Sequence, residues 1–351
     1  MLIDIISVAF TFGVIIFIHE LGHFLLGKAY GVKIEKFAFG FGPEIAGRTI
    51  GETRYRLCAV PLGGYVRFAG DEPETATGDP REFFSQKWYR RIAIVVAGPL
   101  MNYFLAIIFI FITIYFSGVG IPSNEPVIGL VAPDMPAARA GLKEGDVIVT
   151  MDGVEIKFWQ DISKIVHKSA GKKMKFFIKR GEKIIKVDIT PEFNKELSVG
   201  LIGISPKMFV QKVGLIKSFI TSINHTVGLS IFYVRYLIER LIKWEKPEVA
   251  GPVGIAQFIS KAAHAGLSSF LLFVGQISVM IGLLNLFPVP VLDGGHILYY
   301  TIEGITGKSL SRKVMEAGNF VGLSLLVALM LFAFYSDFER LGLIRFIRKL
   351  F

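Results

Sequence analysis

Four stretches of the chain run almost uncharged for 18 residues or more: 3–26, 92–116, 268–289 and 319–336. A spanning helix needs about 20 consecutive apolar residues, so each stretch predicts a transmembrane helix. Between the second and third the pattern changes. Val127–Val131 reads as a strand, Ala137-Ala-Arg-Ala-Gly-Leu-Lys-Glu-Gly-Asp146 as a short helix and turn, and Val147–Met151 as a second strand. Asp152-Gly153 makes a tight turn. Residues 158–169 follow helical spacing, with Trp159, Ile162, Ile165 and Val166 on one side. Lys175–Lys179 and Lys183–Ile189 form a last hairpin. These elements predict a compact α+β module over 121–195. It separates a membrane core at 1–120 from a linker at 196–266 and a second membrane core at 267–351. Within the linker, residues 213–246 carry an apolar stripe (Leu215, Phe219, Ile223, Val227, Ile231, Val234) broken by Asn224, His225, Arg235, Glu239 and Arg240. That stripe reads as a fifth span or, given its mixed charges, as a helix lying on the membrane surface or along the core. Gly251-Pro-Val-Gly254 marks a turn before the third span.

Composition agrees with a polytopic membrane protein: 52% of the 351 residues are hydrophobic and the mean hydropathy is positive. The first span lacks the basic start and small-residue cleavage site of a removable leader. A net charge of +10 invites a nucleic-acid reading, but no aromatic-interleaved basic pattern supports it, and basic residues commonly flank membrane spans. The loop between the first two spans is rich in Lys and Arg and ends at Arg90-Arg91, which argues for a cytoplasmic side. The tail residues Arg345, Arg348 and Lys349 argue the other way, so charge alone leaves the orientation open. The single cysteine, Cys58, excludes thiolate clusters and intrachain disulfides.

Chemistry enters with three residues of the first span. His19, Glu20 and His23 stand in a run otherwise uncharged after Asp4. An ionisable group at the bilayer centre costs roughly 2.5–3.5 kcal/mol on insertion scales. On a helix the two histidines share a face and Glu20 sits at its edge. Two imidazoles so spaced can take two corners of a zinc tetrahedron, with the glutamate handling the proton of a water. The bland alternatives are satisfied core histidines and a chance match to a short pattern; the membrane context weighs against both. A catalytic zinc needs a third ligand. No histidine follows within a dozen residues, and His167, His225 and His264 lie in soluble or interfacial segments. Asp293, in Asn285-Leu-Phe-Pro-Val-Pro-Val-Leu-Asp293-Gly-Gly-His296, is the better candidate. Pro288 and Pro290 break the helix there, and broken backbone at membrane depth is tolerated only inside protein or along a wet cavity. Taken alone, Asp-Gly-Gly would read as a turn.

His-Glu-Leu-Gly-His at 19–23, together with Asn-Leu-Phe-Pro-Val-Pro-Val-Leu-Asp-Gly at 285–294, resembles the two signatures of the site-2 protease family over nearly the whole chain. Pro61-Leu-Gly-Gly-Tyr-Val66 and Gly98-Pro-Leu-Met-Asn102 are weaker family-like stretches. The resemblance implies a zinc endopeptidase that cuts transmembrane segments, with His19, His23 and Asp293 as ligands and Glu20 as base. It implies Asn285, Pro288, Gly63, Gly64 and Tyr65 as substrate-binding residues. It further implies that Arg54–Leu57 and Ala59–Phe68 form a membrane-reentrant β-hairpin whose edge pairs with unwound substrate. An ordinary cytoplasmic hairpin is the alternative. The module resembles a single PDZ domain, which either binds a peptide or protein C-terminus by β-augmentation or acts only as a size filter. The family setting implies a bacterial inner membrane, an extracytoplasmic PDZ domain and an active site toward the cytoplasm. Its partners would be single-span proteins such as anti-sigma factors or signal-peptide remnants. The rivals are a metal transporter, which would need polar groups along several spans, and a membrane-anchored peptide-binding adaptor, which would not need Glu20.

Overall fold

The computed structural model describes residues 1–71, 76–194, 197–244 and 250–342. Arg345, Arg348 and Lys349, which complicated the charge argument, lie outside them. Contacts divide the chain into two compact units, Met1–Tyr115 with Gly214–Phe351, and Phe116–Val213.

The first unit opens with α1 (Leu2–Ala29), whose inward stripe includes Thr11, Ile15, His19, Gly22 and His23. A side chain at Gly22 would place its Cβ 2.2 Å from the Ala97 carbonyl, so α1 meets α2 (Trp88–Ser117) backbone to backbone. Between the two helices lie β1 (Ile34–Ile50) and β2 (Thr53–Phe68), folded so that the first part of β1 pairs twice. Phe37 stands opposite both Val66 and Tyr55, and Tyr55 again opposite Arg48. The expected hairpin is therefore corrected: Arg54–Leu57 and Ala59–Phe68 do not pair with each other but flank Ile34–Phe41, which sequence periodicity left unassigned. Glycines make this possible. Gly40 takes φ +87°, and a Cβ there would lie 2.6 Å from the Val60 carbonyl. Arg91 also differs from expectation. It turns inward, pairs with Glu303 and lies over the rings of Tyr300 and Phe84, so it is no free flanking charge.

The second unit begins with β3 (Val119–Pro122), β4 (Ile128–Val131) and α3 (Pro136–Arg139). It continues through β5 (Val147–Met151), β6 (Val154–Glu155), α4 (Trp159–His167), β7 (Met174–Arg180) and β8 (Lys183–Ile189). Four short strands close it: β9 (Glu192–Asn194), β10 (Val199–Leu201), β11 (Ile204–Pro206) and β12 (Met208–Gln211). The central antiparallel sheet runs β6-β5-β7-β8, and α4 buries Ile162 and Val166 against Ile148, Met151, Phe176 and Ile178. β11 returns to pair with β4, and β12 with β3. The module expected to end at 195 thus extends to Val213, at the expense of the linker. Strands of three or four residues show no period of their own, and their partners lie far upstream.

Asp146, only 1% exposed, takes two hydrogen bonds from Arg180 at 2.7 Å each, and the Lys143 amide adds a third at 2.8 Å. Burial opposes its charge, yet the guanidinium and the amide together hold the carboxyl below its usual range.

The chain then completes the first unit with α5 (Leu215–Ile242), α6 (Pro252–His264), α7 (Leu267–Asn285), α8 (Asp293–Thr306) and α9 (Arg312–Arg340). Among the described residues, α1, α2, α7 and α9 are long and apolar enough to cross a membrane. The third span stops at Asn285, short of the expected 289, because Pro288 and Pro290 cannot continue a helix. α5 buries Ser218, Ser222 and Thr226 and exposes Ile216, Ile220, Val227, Ile231 and Phe232. Its hydroxyls face the protein and its apolar side chains face outward, the reverse of a surface helix on a water-soluble domain. α6 was hidden behind the Gly-Pro-Val-Gly signal. Proline is compatible with a first turn, and the amides of Gly251, Val253 and Gly254 donate to the buried carboxylate of Asp337 on α9.

Candidate active site

Helix α1 carries His19, Glu20 and His23 as one continuous turn and a half. Asp293 arrives by a different route. After Asn285 the chain leaves the helix, passes Pro288 and Pro290, and re-enters at Asp293, the first residue of α8. Two glycines make the re-entry possible: a Cβ at Gly294 would stand 2.1 Å from the Phe287 carbonyl, and one at Gly295 would stand 2.5 Å from that of Val289. Val291 takes φ +84°, a conformation that costs a β-branched residue about 1–3 kcal/mol. The segment is held in shape by its surroundings. α9 packs so closely that a Cβ at Gly322 would reach 2.1 Å from the Pro290 carbonyl.

These routes bring three side chains to one point. His19 Nε2 lies 3.2 Å from His23 Nε2 and 3.1 Å from Asp293 Oδ2, and His23 Nε2 lies 3.6 Å from Asp293 Oδ1. All three ligand atoms fall within 4.8 Å of one another. With bonds of about 2.0–2.1 Å, the ligand atoms of a tetrahedral zinc stand about 3.3 Å apart. Two imidazole nitrogens 3.2 Å apart and facing each other can share at most one proton, and with both protonated on Nδ1 their lone pairs point at the same spot. Asp293 Oδ2 is buried with no hydrogen-bond partner among the described residues. A cation resolves both, so the donor set fits zinc. Gly98 of α2 allows the approach: a Cβ there would sit 2.4 Å from the His23 ring and 2.9 Å from His19 Nε2.

Glu20 borders the same space. Its Oε2 accepts the Val66 amide of β2 at 3.1 Å, which ties the carboxylate to the strand running past the histidines. The cavity in front of it, about 400 Å³, is lined by Ile16, His19, Glu20, His23, Tyr65, Val66, Ile281, Asn285, Val291, Leu292 and Asp293. Asn285 and Tyr65 therefore share the cavity with the metal-type cluster. Gly63, Gly64 and Pro288 are not on its wall. Gly64 backs Glu20, with its Cβ position 3.5 Å from Glu20 Cγ, and that of Gly63 falls against Phe41. Tyr65 is held by its hydroxyl, which accepts from Arg56 at 2.7 Å; Arg56 in turn donates to Glu44 at 2.6 Å.

Behind the histidines, α2 supplies partners that residue spacing alone did not assign. His23 Nδ1 lies 2.9 Å from the Ile94 carbonyl, and His19 Nδ1 lies 3.2 Å from the Asn102 amide nitrogen. The resemblance at Gly98-Pro-Leu-Met-Asn102 was the available signal.

A model of peptidase family M50 matches residues 7–329. A Clostridium acetobutylicum protein that carries a zinc metalloprotease name is 36% identical over 335 residues, covering 95% of this chain and 97% of that one. A Mesorhizobium japonicum protein with the same kind of name is 34% identical over 358 residues, covering 93% and 96%. Among solved structures, the PDZ domain of an SdrC-like protein of Listeria monocytogenes is 30% identical and covers 25% of this chain and 93% of that one, with a TM-score of 0.22. With nearly its whole length matched by the family and by such relatives, this membrane protein belongs to peptidase family M50, the site-2 proteases, and is a zinc metalloprotease.

Proposed function

We propose that the chain is an intramembrane endopeptidase that hydrolyses peptide bonds within transmembrane segments of single-span membrane proteins. One observation carries this reading: His19, His23 and Asp293, all near or in apolar helices, converge within 4.8 Å beside Glu20. In this reading His19, His23 and Asp293 hold zinc. The chemistry supplied there is that of a Lewis acid, which polarises the scissile carbonyl and lowers the pKa of a water toward about 7. Glu20 takes the proton from the attacking water on its carboxylate and passes it to the departing amide nitrogen. Asn285 orients the substrate from the end of α7.

A transmembrane helix presents no free carbonyl until its own hydrogen bonds open. The strand carrying Tyr65 and Val66 runs along the cavity and offers an extended surface on which an unwound stretch can lie. The β1–β2 sheet then enters the membrane rather than resting in the cytoplasm. Phe116–Val213 acts as an extracytoplasmic PDZ-type module, through the resemblance at Ala140-Gly-Leu-Lys-Glu-Gly-Asp146, and the enzyme sits in a bacterial inner membrane with its site toward the cytoplasm. Substrates are single-span proteins such as anti-sigma factors or signal-peptide remnants.

The test uses the purified full-length protein in detergent with a model transmembrane peptide, with and without a zinc chelator. Cleavage within the apolar segment, lost on chelation and restored by zinc, is expected. Cleavage restricted to soluble peptides would overturn the intramembrane reading.

A further inference from the structure

The two histidines are backed by one stripe of α2. Ile94, Gly98 and Asn102 follow at intervals of four and so share a face. Gly98, in the middle, lets both rings lie against the helix. Ile94 offers its carbonyl to His23 Nδ1. Asn102, fully buried, stands at His19 Nδ1, and its Oδ1 has no hydrogen-bond partner among the described residues.

The nitrogens that face the cation position are both Nε2. A histidine that binds metal through Nε2 carries its proton on Nδ1 and needs an acceptor there. For His23 that acceptor is the Ile94 carbonyl. For His19 the group in place is the Asn102 amide, whose oxygen and nitrogen exchange by a half-turn about Cβ–Cγ and are assigned from the bonding network rather than seen. α7 fixes the position of this amide. Ser278 donates to the Asn102 carbonyl at 2.8 Å, and a Cβ at Gly282 would stand 3.1 Å from Asn102 Cβ. We propose that Asn102 is a positioning residue: its Oδ1 accepts the Nδ1 proton of His19 and so sets the tautomer that presents Nε2 to zinc. The inference rests on His19 being a zinc ligand.

The test measures zinc affinity by chelator competition, and the visible absorption bands of the cobalt-substituted protein, in full-length Asn102→Leu and Asn102→Asp. Asn102→Leu removes the acceptor at similar volume and should weaken zinc binding about 10–100-fold and shift the cobalt bands. Asn102→Asp keeps an acceptor and should bind zinc within a few-fold of wild type. Wild-type zinc affinity in Asn102→Leu overturns the proposal. If that variant does not fold, ¹⁵N-histidine spectra of the zinc-loaded wild type decide: a proton on His19 Nδ1 supports the proposal, and its absence overturns it. His19→Ala separates the two levels. Undiminished zinc in His19→Ala removes the ligand reading itself, whereas zinc lost there but kept in Asn102→Leu removes only the role of Asn102.

Discussion

The amide of Val66 donates to the carboxylate of Glu20 at 3.1 Å, across 46 positions of sequence. The bond fixes Glu20, the proposed base, beside the strand on which substrate is proposed to lie. It also leaves the rest of the carboxylate turned to the cavity, where a water and a scissile amide must meet.

Glu20→Gln should therefore retain zinc and fold normally while cleavage falls by at least about 10²–10⁴-fold, the usual contribution of a positioned base. Metal content by atomic absorption and turnover of a transmembrane peptide measure the two. Cleavage near the wild-type rate would remove Glu20 from the mechanism.

Asp293 has a buried oxygen with no hydrogen-bond partner among the described residues. Asp293→Asn keeps the shape and removes the charge, so zinc occupancy after dialysis against a mild chelator should drop well below stoichiometric. Full occupancy in this variant would exclude Asp293 as a ligand.

Gly294→Ala drives a methyl group into the Phe287 carbonyl, 2.1 Å from the ideal Cβ. Overpacking of this kind costs about 1–3 kcal/mol. Thermal unfolding in detergent should show the loss, together with weaker zinc retention, since Asp293 is adjacent. An unchanged melting point would mean the bend relaxes freely.

Much of this site could be read before any coordinates. A histidine pair at helical spacing in an uncharged span is expensive unless something compensates, and a proline-broken segment ending in Asp293 is the same argument from the other side. The supports were not legible. Ile94 contributes a backbone carbonyl, which no side chain advertises. Asn102 was marked only by the family-like stretch Gly98-Pro-Leu-Met-Asn102, with no spacing to link it to His19. The sheet was misread because Ile34–Phe41 is shared between two partners, and no local hairpin rule describes that arrangement.

The second unit can be tested alone within the intact chain. Phe176 is fully buried at the centre of its sheet, and Phe176→Ala should cost about 3–5 kcal/mol. Amide exchange in β5 and β7 of the full-length protein should accelerate accordingly, while α1 and α2 remain protected. Uniform acceleration everywhere would contradict the division into two units.

Acid should act on the same unit through Asp146. Its carboxyl is held below the usual range, so the bound form contributes stability that is complete above the unfolded value, about 3.9. That contribution is lost as pH falls through the lowered folded value. With Arg180→Gln the buried carboxylate lacks its countercharge, so exchange protection in β5 and β7 should fail at higher pH than in wild type. Coincident pH profiles would show that the pair does not govern acid stability.

The cluster draws its nitrogens from one end of the polypeptide and its oxygen from the far end. While the ribosome is still making the protein, the inserted portion owns two imidazoles and no carboxylate to complete them. On the proposed ligand set, a copy that has not yet made α8 lacks the third ligand, and the zinc site is completed only once α8 has docked.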